Sequence, residues 1–204
     1  MRTQTSALFI TLLFSSIITG CASTYIDAGG RLHFAPPKSQ MELLIEREPC
    51  CKHFWEITYE KIELDKPYDY EINNILPAYE FDSGKSYVIG LEIPTYYKSI
   101  KLEIDSYFDN NLFYPNITIL DDRYYVIKSV SHKSIKYENT KKFSSAYLSG
   151  YFDINETEDT AKYILIYTTD ELQKYRLIVN PGSRAGYDMH AGPEGKIRIN
   201  LKSN

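Results

Sequence analysis

The segment that decides the fold is Ile100-Lys101-Leu102-Glu103-Ile104-Asp105, in which apolar and charged residues alternate. Successive side chains of a β-strand point to opposite faces of its sheet, so this alternation is typical of a strand with one buried and one solvated face. Antiparallel sheets commonly contain such strands. The segment therefore predicts a half-buried antiparallel strand.

More strands are predicted on both sides of this segment. Residues 87–93 alternate in the same way and end at Pro94, and the continuous apolar run 163–167 indicates a central strand. The other predicted strands are 54–64, 117–119, 124–130, 146–154, 175–179 and 197–201. Short strands joined by turns, without alternating helices, predict an all-β fold. We expect an antiparallel β-sandwich, jelly-roll or immunoglobulin-like, with at most one or two short helices.

Some segments fall outside this pattern. Residues 41–48 fit either a short helix or a strand, and residues 169–172 predict a helix start with acidic residues in its first turn. Asp121-Asp122 predict a turn, and the glycine- and proline-rich residues 180–195 predict a loop. This loop concentrates four polar side chains, which form either a functional group or a connection whose charges pair with one another: Arg184, Asp188, His190 and Glu194.

The N-terminus has the plan of a cleaved secretory signal. Arg2 supplies a positive charge, residues 7–18 are almost continuously apolar, and Gly20 places a small residue before Cys21. A membrane-spanning helix needs about 20 predominantly apolar residues, and this run is shorter. A signal peptide is therefore predicted at residues 1–20.

Ile18-Thr19-Gly20-Cys21 resembles the lipobox of bacterial lipoproteins. The resemblance implies cleavage before Cys21, lipidation of its sulfur, and attachment to a membrane through this lipid anchor. Ala22, where Asp would signal retention, implies sorting to the outer membrane, with the body of the protein in the periplasm. We expect residues 21–42 to form a tether and residues 43–204 to form a single β-sandwich domain.

The composition limits the partners and suggests a candidate ligand. The 204 residues carry a net charge of −4 without a Lys/Arg cluster, which argues against nucleic acid as a partner. Nineteen tyrosines are typical of a tyrosine-rich β-protein, and the alternative is that some rings form a platform on which sugar rings stack. Tyr96 and Tyr97 follow Pro94 and are expected on a loop. They are the candidate ligand-binding rings, with cross-strand packing as the alternative.

Cys50 and Cys51 are adjacent, and they are the cysteines that remain once Cys21 is lipidated. In an oxidising compartment two thiols rarely stay free. A bond between neighbours closes a tight ring and almost no loop, so it contributes little to global stability. We expect a structural disulfide just before the first strand of the sandwich. Redox chemistry is the alternative, although the CxxC spacing of redox sites is absent.

Catalytic and metal-binding patterns are absent from the sequence. No GxSxG, HExxH or GxxxxGK[ST] motif occurs, and no Cys/His spacing suits zinc. The histidines are scattered along the chain: His33, His53, His132 and His190. We therefore expect a protein that is not an enzyme and that has no metal and no cofactor.

Six short segments carry a family resemblance: Cys50-Cys51, Phe81-Asp82-Ser83-Gly84-Lys85-Ser86-Tyr87, Ile93-Pro94-Thr95-Tyr96, Leu112-Phe113-Tyr114-Pro115, Ile119-Leu120-Asp121 and residues 162–169. Together, and in this order, they resemble the family of maltose operon periplasmic proteins, often called MalM. The resemblance implies a non-enzymatic role accessory to transport or binding of maltose- or maltodextrin-type carbohydrate, with a carbohydrate ligand or a sugar porin as partner. The alternative is a structural or assembly lipoprotein that binds another protein of the cell envelope.

The lipid anchor is tested by replacing Cys21 with Ser. Because the lipid is attached to the cysteine sulfur, the variant should lose labelling by a radiolabelled fatty acid. The body of the protein should then leave the membrane fraction. Labelling that persists in the variant would show that the lipobox interpretation is wrong.

Overall fold

A computed structural model describes the chain at residues 24–26, 32–34, 38–94, 100–107, 111–130, 138–139, 147–154, 161–179 and 187–203. Internal contacts divide the chain into two compact units, Met1–Pro37 and Lys38–Asn204. In the first unit, β1 (Thr24–Ile26) pairs antiparallel with β2 (Leu32–Phe34), within the segment expected to be a tether. Cys21, the predicted lipidation site, lies outside the described residues.

The second unit consists mainly of strands. In chain order these are β3 (Tyr59–Lys61), β4 (Pro67–Ile72), β5 (Ala78–Phe81), β6 (Gly84–Tyr87), β7 (Ile89–Glu92), β8 (Ile100–Tyr107), β9 (Leu112–Phe113), β10 (Asn116–Leu120), β11 (Val126–Val130), β12 (Glu138–Asn139), β13 (Tyr147–Ile154), β14 (Tyr163–Tyr167), β15 (Arg176–Val179), β16 (Tyr187–Gly192) and β17 (Gly195–Ser203). The helices of the described ranges are α1 (Gln40–Glu46), a 3₁₀ helix (Phe54–Glu56) and α2 (Asp170–Gln173). None of these helices is long and apolar enough to cross a membrane.

Two five-stranded sheets form the sandwich. Sheet I has the strand order β11-β10-β14-β7-β3, and sheet II has the order β12-β13-β8-β17-β4. Neighbouring strands are antiparallel, except that β3 runs parallel to β7. Beside these sheets lie the hairpin β5–β6 and a small sheet β15-β16-β9, in which β16 and β9 are parallel. The predicted all-β sandwich is confirmed, and its two short parallel pairings depart from the antiparallel expectation.

The core lies between sheets I and II. Ile100, Leu102 and Ile104 of β8 are at most 1% exposed, and they belong to one cluster with Ile164 and Ile166 of β14. Complete burial of such a side chain contributes about 1.5–3 kcal/mol relative to exposure. The apolar positions that predicted β8 are therefore the positions that join the two sheets.

The predicted strand 87–93 is divided into β6 and β7. The division is at Val88, whose N–H donates to the carbonyl of Pro77 at 3.0 Å instead of joining a ladder. The predicted common face is confirmed, because the four alternating side chains all enter the core: Tyr87, Ile89, Leu91 and Ile93.

The predicted strand 54–64 is wrong in its first half, where Phe54–Glu56 form the 3₁₀ helix. The carboxylate of Glu56 accepts hydrogen bonds from the backbone N–H groups of Lys52 and His53, at 2.7 and 3.2 Å. Such a side-chain cap competes locally with strand formation, and an apolar pattern does not reveal it.

The predicted loop 180–195 is wrong over β16. This strand pairs with the preceding strand β15 on one side and with β9, from a distant part of the chain, on the other. Strand β4 has no counterpart among the predicted strands, although its burial alternates towards Ile72. Pro67 begins β4 at the edge of sheet II, where a residue without an N–H is tolerated.

Residues 41–48 follow the helical alternative, as α1. Ser39 caps this helix because its hydroxyl accepts from the N–H of Glu42 at 3.3 Å, while the Glu42 carboxylate accepts from the N–H of Ser39 at 2.7 Å. The reciprocal pair is a capping box, which satisfies two backbone donors that would otherwise lack partners. It explains why the helix begins at Gln40.

Lys85 of β6 joins α1 to the sandwich. Its ammonium group donates to the carbonyls of Ile45 and Arg47, at 2.9 and 3.0 Å, where the end of the helix leaves carbonyls without partners. Leu44 of the same helix is 1% exposed and belongs to the core. The helix thus continues across the boundary expected between residues 42 and 43.

The turn between β5 and β6 requires glycine at position 84. Gly84 has φ +111°, and a Cβ there would overlap the carboxylate of Asp170. The backbone N–H of Asp170 donates to the carbonyl of Ser83 at 3.0 Å. The start of α2 therefore packs directly on this turn.

Replacing Gly84 with Ala should lower the free energy of unfolding by about 1–3 kcal/mol, because a side chain strains the backbone at this φ. Overlap with Asp170 adds to the loss. Urea unfolding measures the change. In an Asp170→Ala background the overlap is absent, so the same substitution should cost less there. An equal cost in both backgrounds would contradict the packing of α2 on the turn.

Candidate functional site

An aromatic layer covers the outer face of sheet I. Side chains of β14 alternate between the two faces, so Ile164 and Ile166 enter the core while Tyr163, Leu165 and Tyr167 enter this layer. The other members come from β3, β10, the hairpin, the 3₁₀ helix and adjacent turns: Cys51, Phe54, Ile57, Tyr59, Tyr79, Phe81, Val88, Leu120 and Tyr124. Sheet I is therefore covered on both faces.

Three rings of this layer form what we call the tyrosine cluster: Tyr59, Tyr124 and Tyr163. The rings of Tyr124 and Tyr163 are stacked, with centroids 4.6 Å apart and 6° between their planes. The centroid of Tyr59 lies 4.5 Å from that of Tyr163, at an interplanar angle of 44°. All three side chains are partly buried, so the cluster is a packed aromatic surface that solvent still reaches.

Two hydrogen bonds hold the hydroxyls of the cluster in place. The hydroxyl of Tyr124 donates to the hydroxyl of Tyr163 at 3.3 Å, and the hydroxyl of Tyr59 donates to the carbonyl of Phe54 at 2.9 Å. The second bond joins the cluster to the 3₁₀ helix. These rings are stacked on one another and hydrogen-bonded through their hydroxyls, so they lose little conformational entropy when they bind a ligand. This lowers the entropic cost of binding.

A tight turn between β10 and β11 places Tyr124. The Oδ1 atom of Asp121 accepts from the N–H groups of Arg123 and Tyr125, at 2.9 and 2.8 Å, and the Tyr124 N–H donates to the Asp121 carbonyl. An Asp side chain that bonds the following backbone is typical of a turn. The turn predicted at Asp121-Asp122 is thereby confirmed.

Tyr124 itself has a strained backbone. Its φ is +65°, in the left-handed region, where a residue with a Cβ costs about 1–2 kcal/mol. The stacking on Tyr163 and the hydrogen bonds of the turn offset this cost. Such strain is found preferentially at functional sites, so it marks this turn as a candidate. The next residue, Tyr125, is 69% exposed.

Gly90 of β7 makes room for Tyr59. The two residues are paired in the parallel ladder of β3 and β7. A Cβ on Gly90 would lie 3.0 Å from Cδ1 of Tyr59 and 2.8 Å from the carbonyl oxygen of Thr58. Any side chain at Gly90 would therefore displace the Tyr59 ring.

Charged groups lie beside the tyrosine cluster. Glu92 is the ladder partner of Tyr163, and its carboxylate lies 2.8 Å from Nζ of Lys162. The side chains of this ion pair are 21% and 23% exposed, so solvent or a ligand can reach them. Flat aromatic faces bordered by hydrogen-bonding groups can stack on a sugar ring and bind its hydroxyls.

The hydroxyls of Tyr59 and Tyr163 are neutral at physiological pH. The hydrogen bond with Tyr124, and then burial, raise the pKa of Tyr163 to about 12. Burial raises the pKa of Tyr59 in the same direction. Neutral phenols both donate and accept, which suits hydroxyl-bearing ligands.

Tyr96 and Tyr97, the rings predicted to bind ligand, lie outside the described residues. The structure instead brings together Tyr59, Tyr124 and Tyr163, which the sequence does not single out. The apolar run 163–167 gives no indication of which residues face outward, because both faces of its strand are buried. The sequence signal that could have identified this site is the turn at Asp121, which is followed by Tyr124 and Tyr125.

Cys50 and Cys51 are joined by a disulfide, with their Cα atoms 3.7 Å apart. The N–H of Cys50 donates to the carbonyl of Ala78 at 2.8 Å, which connects the disulfide to β5. Cys51 packs against the aromatic layer. The disulfide precedes β3, which is one of the two edge strands of sheet I.

The four polar residues of segment 180–195 are described only in part. Arg184 lies outside the described residues, and Asp188 and His190 belong to β16. Glu194 lines a cavity of ≈ 100 Å³ together with Gln40, and burial raises the pKa of its carboxyl. Among the described residues, no three His, Cys, Asp or Glu side chains are arranged to hold a metal ion.

Comparison with known families matches residues 83–187 to the family described as maltose operon periplasmic protein precursor (MalM). The matched region is slightly more than half of the chain. It contains Tyr124 and Tyr163, whereas Tyr59 and the disulfide precede it. No curated protein matches the chain.

The raised pKa of Tyr163 predicts a loss of stability at high pH. Because the folded state raises the pKa of Tyr163 above the ordinary 10.0, the protonated form contributes stability that is complete below pH 10 and is lost as the pH rises to about 12. Tyr124→Phe keeps the ring and removes the hydroxyl, so it should lower the pKa of Tyr163. Carbon NMR of tyrosine labelled at Cζ measures this, with Tyr125→Phe as control. An unchanged Tyr163 titration would show that the hydrogen bond with Tyr124 does not raise this pKa.

Proposed function

Because the chain belongs to the family of maltose operon periplasmic proteins, we propose that it is a non-enzymatic accessory protein of carbohydrate uptake that binds maltodextrin-type sugars at the tyrosine cluster. The family description supports a periplasmic location. The same description and the chemistry of the cluster support the proposed ligand class.

The observation that carries the proposal is the strained, stacked geometry of the cluster. Tyr124 is held at φ +65° with its ring parallel to that of Tyr163. A residue without strain would serve the turn equally well, since glycine adopts this φ at little cost. The turn alone therefore does not account for a tyrosine at position 124. The stacked geometry of its ring supports a role as a surface on which a ligand can stack.

The charged groups beside the cluster support the same ligand. A sugar ring has an apolar face, formed by its C–H groups, and a rim of hydroxyls. The aromatic rings match the face, while Glu92 and Lys162 offer an acceptor and a donor to the rim. Small-molecule sites commonly combine an apolar surface with a few such polar groups.

Anchoring at the outer membrane is part of the proposal. A lipid on Cys21 would hold the body on the periplasmic side, and stable anchoring takes more than one acyl chain. The tether would then leave the tyrosine cluster free to meet sugars that arrive through a porin. A sugar porin is accordingly the proposed protein partner.

Sugar binding is tested by titrating the purified mature protein with maltohexaose in a calorimeter. Tyr124→Gly removes the ring and relieves the backbone strain, so the turn should persist in this variant. Loss of the stacked ring should weaken binding about tenfold, which corresponds to about 1.4 kcal/mol. Tyr163→Ala should act in the same direction.

Tyr151→Ala is the matched control, since it removes a partly exposed tyrosine of β13 in sheet II, where Lys101 lies over the ring. This variant should bind like the unmodified protein. No heat with maltohexaose, in any variant, would contradict the proposal. That result would favour the alternative of an assembly lipoprotein that binds another envelope protein.

A further inference from the structure

We propose that the cleft beside the Cys50–Cys51 disulfide is a second carbohydrate site, which takes one pyranose ring on an apolar floor that includes the disulfide. The ligand class rests on the proposed function, but the residues are different from those of the tyrosine cluster. The disulfide thereby has a role in binding rather than in global stability.

The cleft has the size of a ligand site. Its volume is ≈ 720 Å³, within the range of about 300–1,000 Å³ that is usual for small-molecule pockets. Pro49, the disulfide and Tyr79 supply its apolar lining. Three charged side chains share the lining with them: Lys52, Glu56 and Glu80.

The disulfide acts locally. It closes almost no loop, so it removes little conformational entropy from the unfolded chain. Around it the backbone is held to β5 at two points: the N–H of Cys50 donates to the Ala78 carbonyl at 2.8 Å, and the hydroxyl of Tyr79 donates to the Lys52 carbonyl at 3.2 Å. The disulfide lies between these points and keeps the lining of the cleft in one arrangement.

The charged lining suits hydroxyl groups. The Glu56 carboxylate accepts from the N–H groups of Lys52 and His53, and these bonds lower its pKa, so it is an ionised acceptor at neutral pH. The side chain of Glu80 is 59% exposed, and its carboxylate lies 3.8 Å from Nζ of Lys85. The carboxylates of Glu56 and Glu80 and the ammonium group of Lys52 thus share the lining of the cleft with its apolar groups. Such a combination suits the apolar face and the hydroxyls of a pyranose ring.

The 3₁₀ helix connects this cleft to the tyrosine cluster. Its first residue, Phe54, accepts the hydrogen bond from Tyr59 at 2.9 Å, and its last residue, Glu56, lines the cleft. Between them is Trp55, which is 57% exposed and stacked on His53 with centroids 4.0 Å apart. Trp55 is the single tryptophan of the sequence, so its fluorescence reports on this helix alone.

The test is a titration of the purified mature protein with maltohexaose, in which Trp55 emission and heat are measured on the same samples. We expect a saturable change in Trp55 emission in the oxidised protein. In two altered forms of the protein, at least ten times more maltohexaose should be needed to reach half of the emission change. These forms are the protein with a reduced disulfide and the double variant Cys50→Ser with Cys51→Ser. Binding at the tyrosine cluster should persist in both cases.

Glu80→Gln provides a variant that leaves the disulfide and its backbone contacts in place. It should weaken the Trp55 response severalfold, and this test remains decisive if the double serine variant fails to fold. The matched control is Glu63→Gln, a change at an exposed carboxylate that pairs with Lys66. This control should leave the response unchanged.

The outcomes separate the two proposals. Heat that depends on Tyr124, with no change in Trp55 emission, would refute the second site and leave the proposed function intact. An emission change that reduction, the serine substitutions and Glu80→Gln all leave unaltered would also refute it. Absence of both heat and emission change would overturn both proposals together.

Discussion

Successive side chains of β14 point to opposite faces of sheet I, and both faces are covered. Ile164 and Ile166 are fully buried in the core, and Leu165 is fully buried in the aromatic layer. A register shift of one residue would exchange these two sets, placing tyrosines between the sheets and isoleucines beneath the hairpin. The register of β14 therefore determines how β7 and β10 pair with it, and which tyrosines can reach one another on the outer face.

Local pattern predicts the strands with one solvated face by their alternation, and it predicts the buried strand β14 by its continuous apolar run. The alternation at residues 100–104 and 197–201 marks β8 and β17 correctly, because burial there differs from one residue to the next. The predictions at 54–64 and 180–195 are wrong because distant or capping contacts decide those segments. Glu56 closes the 3₁₀ helix, and β16 depends on pairing with β9 and β15. Neither contact leaves a periodic signal in the sequence.

The sequence predicts that the candidate site contains tyrosine rings, but it does not predict which tyrosines form it. An excess of tyrosine suggests an aromatic surface, yet the rings that meet are separated by long stretches of chain. Tyr59 reaches Tyr163 through the parallel pairing of β3 with β7 and the space left by Gly90. Tyr124 reaches it through an unusual backbone angle. Both conditions belong to the three-dimensional structure, so composition alone could not distinguish these rings from Tyr96 and Tyr97.

The position of β17 in sheet II has a consequence for how the chain acquires its structure. Strand β17 lies between β8 and β4, and among the described strands it is the one neighbour of β4 in sheet II. Strand β4 therefore stays without this partner until residues 195–203 are available. Contacts between such remote segments close slowly, because a long loop must be ordered before they form. A chain shortened at its C-terminus would expose two strand edges at once, and an open edge of this kind invites pairing with other molecules.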